Sequence, residues 1–321
     1  MPKISVVTCT AKVTPNLERM AECLRSQTLT DFEWIIVDRL LFERPEEFYY
    51  AIEHSCDFKI NVLSPKPSVF HDFNMPDIAS ARNTGIMASA GELVVWYDDN
   101  MWVQPDYLQR HMTVHELPTK TYLAGLFWPF DNWDTVSDLS QREPYDTHRN
   151  FCRIGDFAHN NPSVEKGGKV RPDDNRAYNP YPTSEGRSPY CRGYETITGA
   201  WSYNGNLSMS MELLLALNGY DEHLDGTFGG EDINIGLRAD NAGYSGLLDR
   251  YCCSYDYRGE ENSSTMDTHP FNWDYIGTVN GTKLNRGEFG FIDIQRNKGR
   301  VRENAWMSLE DLRKDYLGRA E

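Results

Sequence analysis

A glycine-rich phosphate loop is missing from this 321-residue sequence. No G-x-G-x-x-G follows the first expected strand and no Walker loop occurs, which weighs against dinucleotide and P-loop chemistry. The seven cysteines (Cys9, Cys23, Cys56, Cys152, Cys191, Cys252 and Cys253) are odd in number and include no C-x-x-C pair. Reduced thiols in a cytoplasm are therefore expected, and neither a disulfide framework nor a zinc ribbon is. Long apolar runs are absent too. Leu213 to Leu217 is typical of the longest and far too short to span a bilayer. Met1-Pro2-Lys3 leads straight into an apolar run, so no signal peptide is expected. Positive charge is scarce: 32 Lys and Arg stand against 48 Asp and Glu, for a net charge of −16. That disfavours non-specific binding to nucleic acid or anionic membranes. Two local basic stretches (Lys166, Lys169 and Arg171; Arg296, Lys298, Arg300 and Arg302) read as solvated loops, with a basic groove as the alternative. A 40% hydrophobic share and 25% charged residues, in contrast, describe an ordinary folded chain with ample core.

Hydrophobic periodicity switches repeatedly between strand and helix. Lys3 to Thr8 reads as a buried strand, and Thr14 with Pro15 as the start of a helix carrying Leu17, Met20, Ala21 and Leu24 inward. Phe32 to Val37 is a second strand ending at Asp38, and Pro45 opens a helix with Phe48, Tyr49 and Ile52 on one face. Phe58 to Leu63 is a third strand, and Asp77 caps a helix through Ala88, closed by Gly91. A fourth strand covers Leu93 to Tyr97, a helix follows Pro105, and Tyr122 to Phe127 is a fifth strand. Alternation of this kind predicts a three-layer αβα sandwich around a mainly parallel sheet. The pattern breaks over 128–198, which is rich in Pro, Asn, Asp, Arg and Tyr and reads as an insertion beside the active site. It resumes with a strand at Asn206 to Ser210, a helix at Met211 to Leu217, a helix from Glu231 to Asn241 and a last strand at Leu247 to Tyr257. Residues 1–257 then make the catalytic domain. Residues 258–321 make a C-terminal extension with a terminal helix near Ser308 to Tyr316, capped by Ser308 with Asp311.

Chemistry gathers at the ends of these elements. The fourth strand runs into Asp98-Asp99-Asn100, hard oxygen ligands at the carboxyl edge of the sheet, where open α/β sheets bind ligands. Such ligands suit Mg2+ or Mn2+ shared with substrate phosphates; a solvated turn is the plain alternative. Asp38 ends the second strand. Glu231-Asp232 begin a helix after two glycines, where the helix dipole and free N–H groups keep a carboxylate ionised, as a base requires. His111 and His115 lie one helical turn apart; a helix face is the expected reading and a zinc pair the alternative. Trp201, before Asn204-Gly205-Asn206, reads as a ring stacking on a bound ligand or a core residue.

Several motifs, taken in order, resemble the GT-A glycosyltransferases, and family 2 in particular. They are Val6-Val7-Thr8-Cys9-Thr10, Ser26-Gln27-Thr28, Trp34-Ile35-Ile36-Val37-Asp38, Ala81-Arg82-Asn83-Thr84-Gly85, Asp98-Asp99-Asn100 in the D-x-D position, Gly219-Tyr220-Asp221-Glu222 and Gly229-Gly230-Glu231-Asp232. The resemblance covers roughly 3–126 and 199–257. It implies a GT-A fold and a metal-dependent inverting transferase using a nucleotide sugar, with UDP as the expected nucleotide and Mn2+ or Mg2+ as cofactor. It further implies that Thr10 and Asp38 contact uracil and ribose, that Arg82 holds the nucleotide, and that Asp98 faces the ribose or sugar. Asp99 and Asn100 would stand at the metal, with Asp232 as general base and Glu231 positioning donor or acceptor. The chain departs from the family in four places. Asn100 replaces the usual last Asp of the metal motif. Asp256, with His269 as fallback, stands where a metal-binding His is common. Ala11 replaces an aromatic residue, and Arg39-Leu40-Leu41 replaces Asp-Gly-Ser. The competing readings are a non-catalytic binding module, which Asn100 favours and the retained Glu231-Asp232 oppose, and a retaining transferase. The acceptor stays open between polysaccharide, lipid-linked glycan, protein and a modified nucleic-acid base.

Overall fold

A computed structural model describes residues 1–66, 76–117, 119–130, 132–137, 164–165, 169–170, 194–197, 199, 202, 204–226, 229–257 and 308–320. Most of the 128–198 stretch, including Lys166 and Arg171, lies outside the described residues, as do Trp201, His269 and the basic stretch from Arg296 to Arg302.

The strands are β1 (Ile4–Thr10), β2 (Phe32–Asp38), β3 (Lys59–Leu63), β4 (Leu93–Trp96), β5 (Met101–Val103), β6 (Thr121–Phe130), β7 (Val164–Glu165), β8 (Lys169–Val170), β9 (Tyr194–Ile197), β10 (Leu207–Ser210) and β11 (Ser245–Tyr257). The helices are α1 (Leu17–Arg25), α2 (Tyr50–Ser55), α3 (Ile78–Ala88), α4 (Tyr107–His115), α5 (Met211–Ala216), α6 (Glu231–Asn241) and α7 (Leu309–Ala320). Nine strands form one sheet in the order β3-β2-β1-β4-β10-β6-β11-β5, with β9 also pairing β11. The half from β3 to β4 is wholly parallel, while β10, β5 and β9 each pair antiparallel with their neighbours. β7 and β8 form a separate two-stranded hairpin.

Both faces of the sheet are covered, which is why β1, β2 and β4 carry apolar residues without alternation. One face packs Leu17, Met20 and Leu24 of α1, Ile52 of α2 and Leu108 of α4 against Ile4, Val6, Trp34, Ile36, Val95 and Tyr97. The other packs α3, α5 and α6 against Val7, Ile35, Val37, Val94 and Trp96. Each fully buried Leu or Ile contributes about 1.5–3 kcal/mol of transfer free energy. His111 and His115 belong to this packing: His111 Nδ1 lies 2.8 Å and His115 Nε2 3.1 Å from the Ser208 hydroxyl. Burial lowers the His111 pKa to about 3 and that of His115 to about 4, so both stay neutral.

The chain returns at its end to α3. Leu309 of α7 is fully buried and its N–H donates to Asn218 Oδ1 at 3.0 Å. Arg313 Nε donates to the Ser89 carbonyl at 2.9 Å, capping α3 with a cation. The expected Ser308–Asp311 cap is present, with Asp311 N donating to Ser308 Oγ at 3.1 Å. Two local expectations differ. The first helix begins at Leu17, not at Pro15, because Asn16 N is drawn to the Asp99 carbonyl at 3.1 Å. α3 ends at Ala88 as expected, where the Ser89 hydroxyl turns back onto the Gly85 carbonyl at 2.8 Å, but Asp77 at its N-cap makes no side-chain cap bond. Among the described residues no helix is long and apolar enough to cross a membrane.

Candidate active site

β1, β2, β4 and β11 deliver their last residues to the same edge of the sheet. Thr10 pairs with Asp38 across β1 and β2. The Thr10 hydroxyl donates to Asp99 Oδ2 at 2.7 Å, and Lys12 Nζ lies 2.9 Å from Asp99 Oδ1. Asp99 is therefore joined to the loop after β1. Asp38, fully buried, accepts from Leu40 N at 2.9 Å, the Tyr49 hydroxyl at 2.6 Å, Arg44 Nη2 at 3.1 Å and Arg44 Nε. A carboxylate offers about four lone-pair positions, and four donors meet this one. Arg44 also donates to the carbonyls of Lys12 and Val13 at 2.7 and 2.9 Å. Asp38 thus ties the loops after β1 and β2 together from below. No motif announced Arg44; its distance of six residues from Asp38 was the only signal.

Asn100 and Asp256 meet where β5 runs beside β11. Asn100 Nδ2 donates to Asp256 Oδ1 at 2.6 Å and to the Tyr257 carbonyl at 2.8 Å, and Tyr257 N donates to the Asn100 carbonyl at 3.0 Å. Asp98, beside them, is partly exposed. The donor set is all oxygen once the Asn100 amide turns its carbonyl outward. Among the described residues no three His, Cys, Asp or Glu side chains gather into a closed cage. A few carboxylates at an open edge, completed by substrate phosphates, is the arrangement Mg2+ and Mn2+ adopt, so these residues fit such an ion.

Opposite them, α3 and α6 bring Arg82 to Glu231. The two form a buried ion pair, with Arg82 9% and Glu231 6% exposed. The Tyr220 ring lies 5.5 Å from the guanidinium carbon, and the Asn204 amide oxygen, turned toward Arg82, accepts from Nη1 at 2.7 Å. Burial alone would lower the Arg82 pKa. The charge of Glu231 above all, with those of Asp98 and Asp232, outweighs burial and holds it above its ordinary value. Glu231 pairs with this cation directly, and Asp98 and Asp232 lie within its electrostatic reach. Cys9 lies in the same field: burial pushes its thiol up to about 12, with Arg82 opposing and Asp98, Asp99 and Asp77 adding to it.

Local sequence explains the start of α6. Gly229 and Gly230 take φ of 84° and 95°, the left-handed region that glycine enters without strain. This sharp entry places Glu231 and Asp232 on the first turn. Asp232 Oδ1 accepts from Ile233 N at 2.8 Å, so a helix N–H holds the carboxylate. Three side chains steady α3. Asp225 accepts from Ala79 N, Ser80 N and Ser80 Oγ at 2.8, 3.0 and 2.6 Å. Asn83 donates to the Tyr220 carbonyl and to Glu222 Oε1 at 2.9 and 2.7 Å. Lys66 Nζ approaches Glu222 Oε2 to 2.6 Å. Asn204 and Tyr220 had no assigned part in the sequence pattern, although both stand in segments it singled out.

A family model described as glycosyl transferase family 2 matches residues 5–174, more than half of the 321. Three solved structures share the fold. GalNAc-T7 with UDP, GalNAc and Mn2+ aligns at 13% identity and a TM-score of 0.58, over 99% of this chain and 57% of its own. TarS 1-349 from S. aureus, in complex with UDP-GlcNAc, aligns at 14% and 0.50, over 92% of this chain and 69% of its own. The mannosyltransferase PcManGT from Pyrobaculum calidifontis, in complex with GDP-Man and Mn2+, aligns at 12% and 0.50, over 99% and 80%. Among curated proteins, no sequence matches significantly.

Proposed function

The chain belongs to glycosyl transferase family 2, and we propose that it moves a sugar from a UDP-sugar to an acceptor hydroxyl with inversion at the anomeric carbon. The observation that carries this reading is the Arg82–Glu231 pair at the start of α6, next to Asp232, with Asn100 bonded to Asp256 where β5 runs beside β11. Two of the three structural neighbours hold uridine diphosphate ligands, which supports UDP over the GDP of the third.

The acceptor oxygen bonds to the anomeric carbon as the bond from that carbon to the diphosphate breaks, and the electron pair leaves with the nucleoside diphosphate. Asp232 takes the acceptor's proton on its carboxylate, which the first turn of α6 holds ionised until then. Attack from the face opposite the leaving group inverts the centre. Thr10 and the loops tied down by Asp38 and Arg44 form the wall for base and ribose, and Asp98 faces the sugar. A divalent ion held by Asp256 and the Asn100 carbonyl oxygen, with Asp99 near, would supply charge against the departing diphosphate. Asn100 brings no charge to that ion, so binding is expected to be weaker than at an all-carboxylate site.

Thermal unfolding with UDP, GDP and CDP, each with and without Mn2+, tests the reading. Ligand at about 100 times its Kd adds about 2.7 kcal/mol to the stability of the native state. A rise in Tm with UDP, larger when Mn2+ is present, is the expected result. No rise with any nucleotide would sink the proposal, and a rise with GDP or CDP alone would replace the donor.

A further inference from the structure

The ion pair at the base of α6 has a role that donor binding does not require. We infer that Arg82, seated by Asn204 and Tyr220, acts through Glu231 to fix the first turn of α6 and so to aim Asp232. Arg82 is then a positioning residue that sets the rate of transfer, not a contact that sets affinity for the donor. The inference rests on the proposed reaction.

Three observations support it. First, the guanidinium is enclosed by its own chain: Glu231 pairs with it, Asn204 accepts from Nη1 at 2.7 Å, and the Tyr220 ring covers it at 5.5 Å. An arginine kept for a diphosphate would be expected to present its fork to the open side of the site. Second, the N-cap position of α6 supplies no capping side chain. Its N-cap is Gly230, in the left-handed region, and no side-chain cap bond is made there. A helix entered through two glycines has little local restraint on its first turn, and Glu231 is the first residue of that turn. The tie to α3 adds a tertiary restraint to the local bond that Asp232 Oδ1 accepts from Ile233 N. Third, α3 is itself immobilised on the segment leading to α6. Asp225 caps its N-terminus, and Asn83, the neighbour of Arg82, is bonded to Tyr220 in both directions, receiving from Tyr220 N at 2.7 Å. Arg82 therefore transmits the position of a fixed helix to the start of another. A buried ion pair adds little net stability compared with apolar residues of similar shape, so placement of Asp232 is what this one yields.

The charges around the pair agree with this geometry. Asp98 and Asp232 both lie within electrostatic reach of Arg82. Asp232 follows Glu231 directly, so any shift of the Glu231 carboxylate moves the base.

A double-mutant cycle on the full chain, with UDP-sugar and Mn2+ and with water as the acceptor, tests the inference. Arg82→Met, Glu231→Gln and the double variant are compared in kcat for UDP release and in Kd for UDP. Each single change should lower kcat by about 100-fold, the scale of a misplaced catalytic group. The double variant should lose no more than about twofold beyond Glu231→Gln alone, because both changes remove one device. UDP affinity should stay within about twofold throughout. Arg82→Met strands a buried carboxylate; if that variant does not fold, the double variant, which removes both charges, still gives the comparison with Glu231→Gln. Arg82→Lys, which keeps the charge but loses the fork shared by Glu231 and Asn204, should recover only part of the lost kcat. Losses that multiply in the double variant would overturn the inference, as would a fall in UDP affinity with kcat intact. A wild-type protein that binds no nucleoside diphosphate would instead overturn the donor reading beneath it.

Discussion

Asp232→Asn is expected to lower turnover of the donor by about 10²–10⁴-fold, the range a positioned general base contributes. UDP affinity should change little. The substitution is close to isosteric, and the bond from Ile233 N to Oδ1 at 2.8 Å needs only an oxygen, which asparagine keeps. The start of α6 should therefore survive, and what disappears is the ability to accept a proton. Steady-state kinetics beside UDP binding separate the two effects: an interaction made only in the transition state lowers kcat and kcat/KM together. Unchanged turnover in Asp232→Asn would remove Asp232 from the chemistry. The family match ends at residue 174, so it does not vouch for this assignment, and the kinetic result carries that weight.

The second large effect is structural. Gly236→Ala is expected to destabilise the protein by about 3 kcal/mol, the upper end for overpacking, and to reduce activity with it. A Cβ on Gly236 would stand 2.1 Å from Ser202 Oγ and 2.4 Å from the Gly199 carbonyl oxygen. In the opposite direction, a Cβ on Gly199 would meet the Gly236 carbonyl carbon at 2.0 Å. Two backbones touch here, and α6 sits where it does because neither has a side chain in between. The added methyl group has to push α6 outward, carrying Glu231 and Asp232 with it. Gly318→Ala is the control: a Cβ there meets nothing within 4 Å inside α7, and alanine favours helix. Denaturant unfolding of the two variants measures the difference. A Gly236→Ala protein as stable as the wild type would show that the contact of α6 with Gly199 and Ser202 relaxes at no cost.

The parallel half of the sheet was legible because β1, β2 and β4 are buried on both faces and read as mostly apolar runs without alternation, β2 ending in Asp38 and β4 running on to Asp98. The placement of Asp38, Asp98, Asp99 and Asn100 at one edge followed from that alone. What local pattern hid were the consequences of distant pairing. β5, three residues long, exists because Met101 pairs with Asp256, a partner far along the chain. That pairing brings Asn100 to Asp256 and makes both candidate ligands of one ion. Asp38 was expected to face uracil and ribose. Arg44, Tyr49 and Leu40 N donate to it, which ties the loops beside the proposed donor site together, and its contact with uracil and ribose stays a proposal. Arg82 pairs with Glu231, which no motif announced; a motif gives a residue's place on a helix but not which neighbour its side chain meets. Trp201 and His269 stay proposals for the acceptor and the metal, since both lie outside the described residues.

The measurement closest to the central claim is the anomeric configuration of the first sugar released. The protein is incubated with a UDP-sugar and Mn2+, with water standing in for the acceptor, and early hydrolysis is followed by NMR before the product equilibrates. A single displacement with Asp232 as base predicts the anomer opposite to that of the donor. Release of the donor's own anomer, with UDP formed in step, would contradict the inverting mechanism and the role given to Asp232.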